Sequence, residues 1–234
     1  MTRSMLLCAL ALAFSGVAQA QEEEEAEGPF SGELTLTSDY VFRGISQTNE
    51  DPALQGGLTW TFDSGFYVGG WASNVEFVEE DDADVEVDLY VGWATDINDS
   101  WAVDVSLVGY LYPGTADGYD YDYTELIGVF TYDEWLSLTA GLSNDVFNLD
   151  EFAGYYEVAG NWELPAEFYI NAHFGYYTTE DALGFDYTNF GAGITKDIGP
   201  LSWALSWSDT NGKGKEIFGQ NAGSRVYASV TFAF

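Results

Sequence analysis

From Gly32 onward, apolar and polar side chains alternate along this chain in stretches of about ten residues separated by turn formers. The clearest stretch lies near residues 84–95. Val85, Val87, Leu89, Val91 and Trp93 share one parity there, and Asp84, Glu86, Asp88 and Tyr90 share the other. A period of two places alternate residues on opposite faces of a β-strand, so each stretch predicts a strand with one apolar face. The same reading predicts strands near 32–44, 53–62, 66–75, 84–95, 101–112, 121–132, 135–144, 154–163, 167–177, 187–196, 201–208 and 223–234. The parity of the third and sixth is not set by their sequences. The last stretch, GSRVYASVTFAF, puts Val226, Ala228, Val230, Phe232 and Phe234 on one face and ends the chain on an aromatic.

The connections add a second rhythm. Short ones (Asp63-Ser64-Gly65, Asp133-Glu134 and Leu164-Pro165-Ala166 among them) alternate with longer ones at 45–52, 76–83, 113–120, 145–153, 178–186 and 209–222. A soluble sandwich has no reason to keep that alternation. A membrane barrel with both termini on one side requires it, with short periplasmic turns and long outer loops. Trp60, Trp93, Trp101, Trp135, Trp162 and Trp203 all border short turns, as an interfacial aromatic girdle would. The expected fold is therefore all-β, a transmembrane antiparallel up-and-down β-barrel of about twelve strands.

Composition narrows the picture. Residues 1–20 combine Arg3, an apolar run and Ala18-Gln19-Ala20, the pattern of a cleaved signal peptide, and 21–30 form an acidic leader; the barrel is expected over 31–234. The one cysteine, Cys8, falls within the signal peptide, so neither a disulfide nor a thiolate metal site is expected in the mature chain. Sixteen Tyr, 16 Phe, 8 Trp and 26 Gly suit a barrel wall. A mean hydropathy of −0.09 is what alternating lipid and lumen faces produce by cancellation. The formal net charge is −33, with 39 acids against 6 Lys and Arg, which disfavours any nucleic-acid partner and favours cations.

Ser38-Asp39-Tyr40-Val41-Phe42-Arg43-Gly44-Ile45-Ser46-Gln47-Thr48 resembles the signature of the TorF-type porin family, exported proteobacterial proteins. Pro52–Gly57, Gly65–Val75 and Gly109–Gly114 fit the same resemblance. It implies an outer-membrane barrel presumed to be a pore, and supplies no catalytic or ligand residues. Outer-membrane barrels end in an aromatic strand like this one, which their assembly machinery reads.

Candidate pore-lining residues follow from parity: Asp39, Arg43, Glu86, Asp88, Asp104, Glu125, Glu157, Asn171 and His173. Arg43 is expected inside the wall, paired across the lumen with one of these acids or neutralising Asp39. Glu86 and Asp88 are expected to face water, and Val87 to face lipid near the midplane. His173, the only histidine, has no catalytic motif around it and reads as a hydrogen-bonded wall residue rather than an enzyme's. Val78–Asp88 is acidic but lacks the glycine and glutamate register of an EF-hand loop. No cofactor, metal or catalytic site is expected. The expected partners are outer-membrane lipid, the barrel assembly machinery and small solutes or cations. The expected function is a cation-biased outer-membrane channel for passive passage of small solutes; the alternative is a closed structural or surface-binding barrel.

Overall fold

A computed structural model describes residues 28–78 and 80–234. The expected signal peptide and the leader up to Glu27 lie outside them. Twelve antiparallel strands close into one barrel. They are β1 (Phe30–Thr37), β4 (Ala53–Thr61), β5 (Phe66–Asn74), β6 (Val85–Asn98), β7 (Trp101–Leu111), β8 (Tyr123–Tyr132), β9 (Leu136–Ser143), β10 (Ala153–Leu164), β11 (Phe168–Thr178), β12 (Tyr187–Ile198), β13 (Leu201–Thr210) and β14 (Arg225–Ala233). Each pairs with its neighbours in the chain, and β1 closes on β14. Two further strands, β2 (Val41–Phe42) and β3 (Ile45–Ser46), form a separate hairpin.

The alternation explains the closure. Leu34, Leu36, Leu54, Leu58, Leu89, Val91, Leu107, Phe130 and Leu205 all point outward and stay exposed, giving the apolar exterior that a membrane-spanning barrel presents to lipid. Trp60, Trp93, Trp101, Trp135, Trp162 and Trp203 are exposed beside the short turns, while Trp71 turns inward and is buried. The two strands of unset parity resolve. On β5, Tyr67, Trp71 and Ser73 face in; on β8, Tyr123, Glu125 and Ile127 do. At the seam, Leu34 faces Phe232 and Thr35 faces Thr231. Phe234 continues the pairing, its N–H donating to Gly32 O (2.9 Å) and its carbonyl accepting from Gly32 N (2.7 Å). Every strand of the barrel thus finds two partners, which a chain in hydrocarbon requires.

The first strand is shorter than its alternation suggests. It ends at Thr37, and residues 38–52 fold into the long-loop half of the lumen, carrying β2 and β3. This corrects the expectation that Asp39 and Arg43 sit in the barrel wall. The core is there too: Tyr40, Trp71, Tyr110, Tyr123, Tyr155, Tyr177 and Tyr187 form one buried aromatic cluster around the hairpin. Tyr110 stacks on Tyr123 with ring centroids 4.5 Å apart. The loop segments α1 (Glu180–Leu183) and α2 (Gly212–Phe218) cap this end, Phe218 packing on Tyr187.

Candidate functional site

The site is the lumen, and its two halves differ. Toward the short turns, the inward Thr35, Thr59, Asn161, Ser229 and Thr231 are polar and only partly buried, although Tyr67, Thr195 and Ser202 are buried there too. Toward the long loops, the hairpin and the tyrosine cluster leave inward residues buried.

The hairpin turns through Arg43 (φ 48°) and Gly44 (φ 82°), both left-handed, as a two-residue turn matching the twist of its strands requires. Arginine at positive φ is unfavourable by about 1 kcal/mol, so something outside the turn holds it there. Gly44 lies against the side chains of Asn189 on β12 and Thr210 on β13, with no room for a Cβ. From the tip, Arg43 Nη2 donates to Glu125 Oε2 on β8 at 2.7 Å, and each side chain is only 1% exposed. The guanidinium lies over the rings of Phe42, Tyr155 and Tyr177, 4.2–4.7 Å from their centroids. Tyr110 donates a second hydrogen bond to Glu125 Oε2 (3.2 Å). Gly141 on β9 leaves the space that Glu125 and Arg43 occupy.

The base of the hairpin is pinned separately. Asp39 accepts from Ser46 Oγ (2.6 Å), from Thr48 Oγ1 (3.3 Å) and from Arg225 Nη1 on β14 (3.0 Å). Arg43 therefore bridges to Glu125, and Asp39 is neutralised by Arg225 instead. Arg225 is a second basic residue inside the barrel, one that the candidate lumen residues did not include. It shares the inward parity of Tyr227 and Ser229, so the alternation of the last strand could have revealed it.

The remaining candidates all lie inside. Asp104 accepts from the Tyr67 hydroxyl at 2.7 Å, and Glu157 from the Tyr155 hydroxyl at 2.6 Å. Asn171 is buried against Gly193, and His173 is half-buried with its ring over Gly191. Glu86 accepts from Tyr112 at 2.9 Å. Glu86 and Asp88 face the lumen but not water: they are 2% and 0% exposed, because the hairpin covers them. The acidic loop between β5 and β6 is partly structural. Its Asp81 accepts from Ala83 N (2.9 Å) and the Tyr121 hydroxyl (3.0 Å). Burial and the bond to Asp81 push the Tyr121 hydroxyl up to about 12.

Fold and site define a closed twelve-stranded antiparallel barrel with a polar lumen crossed by an inward hairpin. The chain belongs to the family described as bacterial protein of unknown function (Gcw_chp), whose model matches residues 22–234. No curated protein matches the sequence. Among solved structures, the chain is similar to the KdgM porin (TM-score 0.55, 8% identity, 87% of this chain and 99% of that one). It is also similar to the KdgM porin in complex with disordered oligogalacturonate (TM-score 0.53, 7% identity, 88% and 98%). The NanC porin is a third such structure (TM-score 0.54, 9% identity, 88% and 98%). At these identities the likeness is one of fold.

Proposed function

We propose that this protein is an outer-membrane channel for small solutes, with a preference for cations, whose resting conformation is closed by the 38–52 hairpin. The observation that carries this reading is the contrast within the lumen. The half toward the short turns keeps partly accessible polar residues, and one inward segment, held at its tip by Arg43–Glu125 and at its base by Asp39–Arg225, fills the other half. A barrel built only as a scaffold needs no polar vestibule. The TorF-type signature and the porin fold support the same reading, as does the apolar exterior with its tryptophans for placement in the outer membrane.

The charge inside indicates the solute class. Among the described residues, Glu33, Glu86, Asp88, Asp104 and Glu157 face the lumen with no basic partner, while Arg43 and Arg225 are balanced by Glu125 and Asp39. An acidic chain such as the oligogalacturonate bound by KdgM would be repelled by such a lumen; neutral or cationic solutes suit it. The second reading, a closed structural barrel, draws on the burial of the Arg43–Glu125 pair among tyrosines. Planar-bilayer recording separates the two. The intact protein should open rarely, and a variant with residues 41–46 replaced by two glycines should conduct persistently with K⁺ favoured over Cl⁻. Silence from a correctly folded hairpin variant would establish the closed barrel instead.

A further inference from the structure

We propose that Glu86 and Asp88 together hold one hard divalent cation, of the calcium or magnesium kind, between the wall and the hairpin. The two residues are i and i+2 on β6, so they share the inward face about 7 Å apart along the strand. Asp88 is fully buried, and among the described residues neither of its carboxylate oxygens has a hydrogen-bond partner. Its cross-strand neighbours are Trp71 on β5 and Tyr110 on β7. Tyr110 spends its hydroxyl on Glu125. A buried carboxylate left like this is relieved either by taking up a proton or by a counter-charge, and the pairing with Glu86 on the same face favours a shared cation.

Among the described residues no lysine or arginine pairs with Asp88. Of the six Lys and Arg, Arg3 lies outside the described residues, and each of the other five is engaged elsewhere. Arg43 bonds Glu125 (2.7 Å) and Arg225 bonds Asp39 (3.0 Å). Lys213 and Lys215 pair with Glu216 (3.2 Å) and Asp209 (2.7 Å) in the loop after β13. Lys196 donates to Ala166 O (2.6 Å) at the short-turn end. Two carboxylates balance one divalent ion. Among the described residues the donors at hand are all oxygen, with Tyr112 on Glu86 and no thiol or imidazole beside them, which selects a hard ion over a transition metal. Tyr40 interacts with Glu86 and stacks edge-on against Trp71 (5.5 Å), so the hairpin roofs the site. The inference goes beyond the channel reading, because the site lies in the closed form and does not require conduction.

The test is calcium binding to the folded full-length protein in detergent after chelation, by equilibrium dialysis and by thermal unfolding with calcium chloride at matched ionic strength. Wild type should bind one tight calcium per barrel and unfold at a higher temperature with it. Asp88→Asn and Glu86→Gln should each weaken that site at least ten-fold, while Asp104→Asn, on the same wall but bonded by Tyr67, should leave it unchanged. Absence of the tight site in wild type, or its survival in both variants, would overturn the proposal, the latter assigning the ion to the outer loops. If binding follows Asp88 but the hairpin variant is silent in the bilayer, the cation site stands and the channel reading falls.

Discussion

At the residue scale the central interaction is a charge pair taken out of water. Arg43 and Glu125 are both essentially inaccessible, so neither can be left alone: removing one partner of a buried pair typically costs about 3–5 kcal/mol, whereas replacing both by neutral residues of similar volume costs little. Arg43→Met should therefore lower the unfolding temperature of the purified barrel clearly, and Arg43→Met with Glu125→Gln should recover most of the loss. Equal destabilisation by the single and the double variant would show that Glu125 does not depend on Arg43. The parity of the sequence put Glu86, Asp88, Asp104, Glu157, Asn171 and His173 on the inward face, and the structure places them there together with Glu125, whose strand had no set parity. It misplaced Asp39 and Arg43 because Tyr40, Phe42 and their neighbours continue the alternation of β1 past Thr37. A period of two is the same in a wall strand and in a short hairpin. The distinguishing signal was Arg43-Gly44, a two-residue turn in the middle of an apparent strand.

At the element scale the wall was legible and its depth was not. The strands, their alternating connections and the terminal strand that closes on β1 all follow from pattern, since lipid on one side and polar side chains on the other enforce strict alternation. Pattern does not say where along a strand the membrane centre falls. Val87 is the third residue of β6, near the long-loop rim, rather than at the midplane; Val91 lies halfway along and points outward. An arginine on the lipid face costs roughly 2–4 kcal/mol at the midplane and about 0–1 near an interface. Val91→Arg should thus reduce folding stability in lipid vesicles by the larger amount and Val87→Arg by the smaller, read from denaturant titrations. Equal penalties at the two positions would place the rim elsewhere on β6. The neighbouring Glu86, buried under the hairpin, will not accept lysine as a water-facing site would.

At the scale of the whole molecule the field is set by 39 acids against 6 bases, and the composition alone announced it. What composition could not show is where water reaches those acids. The loop-side acids Glu86, Asp88 and Glu125 are buried behind the hairpin, whereas Glu33, toward the short turns, and Glu157, at mid-barrel beside Tyr155, keep part of their surface accessible. Only charges in contact with mobile ions bias a permeating current directly, so the vestibule acids should dominate selectivity once the hairpin is displaced. Their influence is screened over about 10 Å at 0.1 M salt and about 3 Å at 1 M. In the variant lacking residues 41–46, the reversal potential in a ten-fold KCl gradient should therefore favour K⁺ strongly when the mean salt is near 0.1 M and much less near 1 M. Glu33→Gln with Glu157→Gln should move the low-salt value toward zero, and the high-salt value by less, because less field remains to be removed. A selectivity that ignores both salt and these two residues would mean that a narrow constriction, rather than the vestibule charge, chooses the ion.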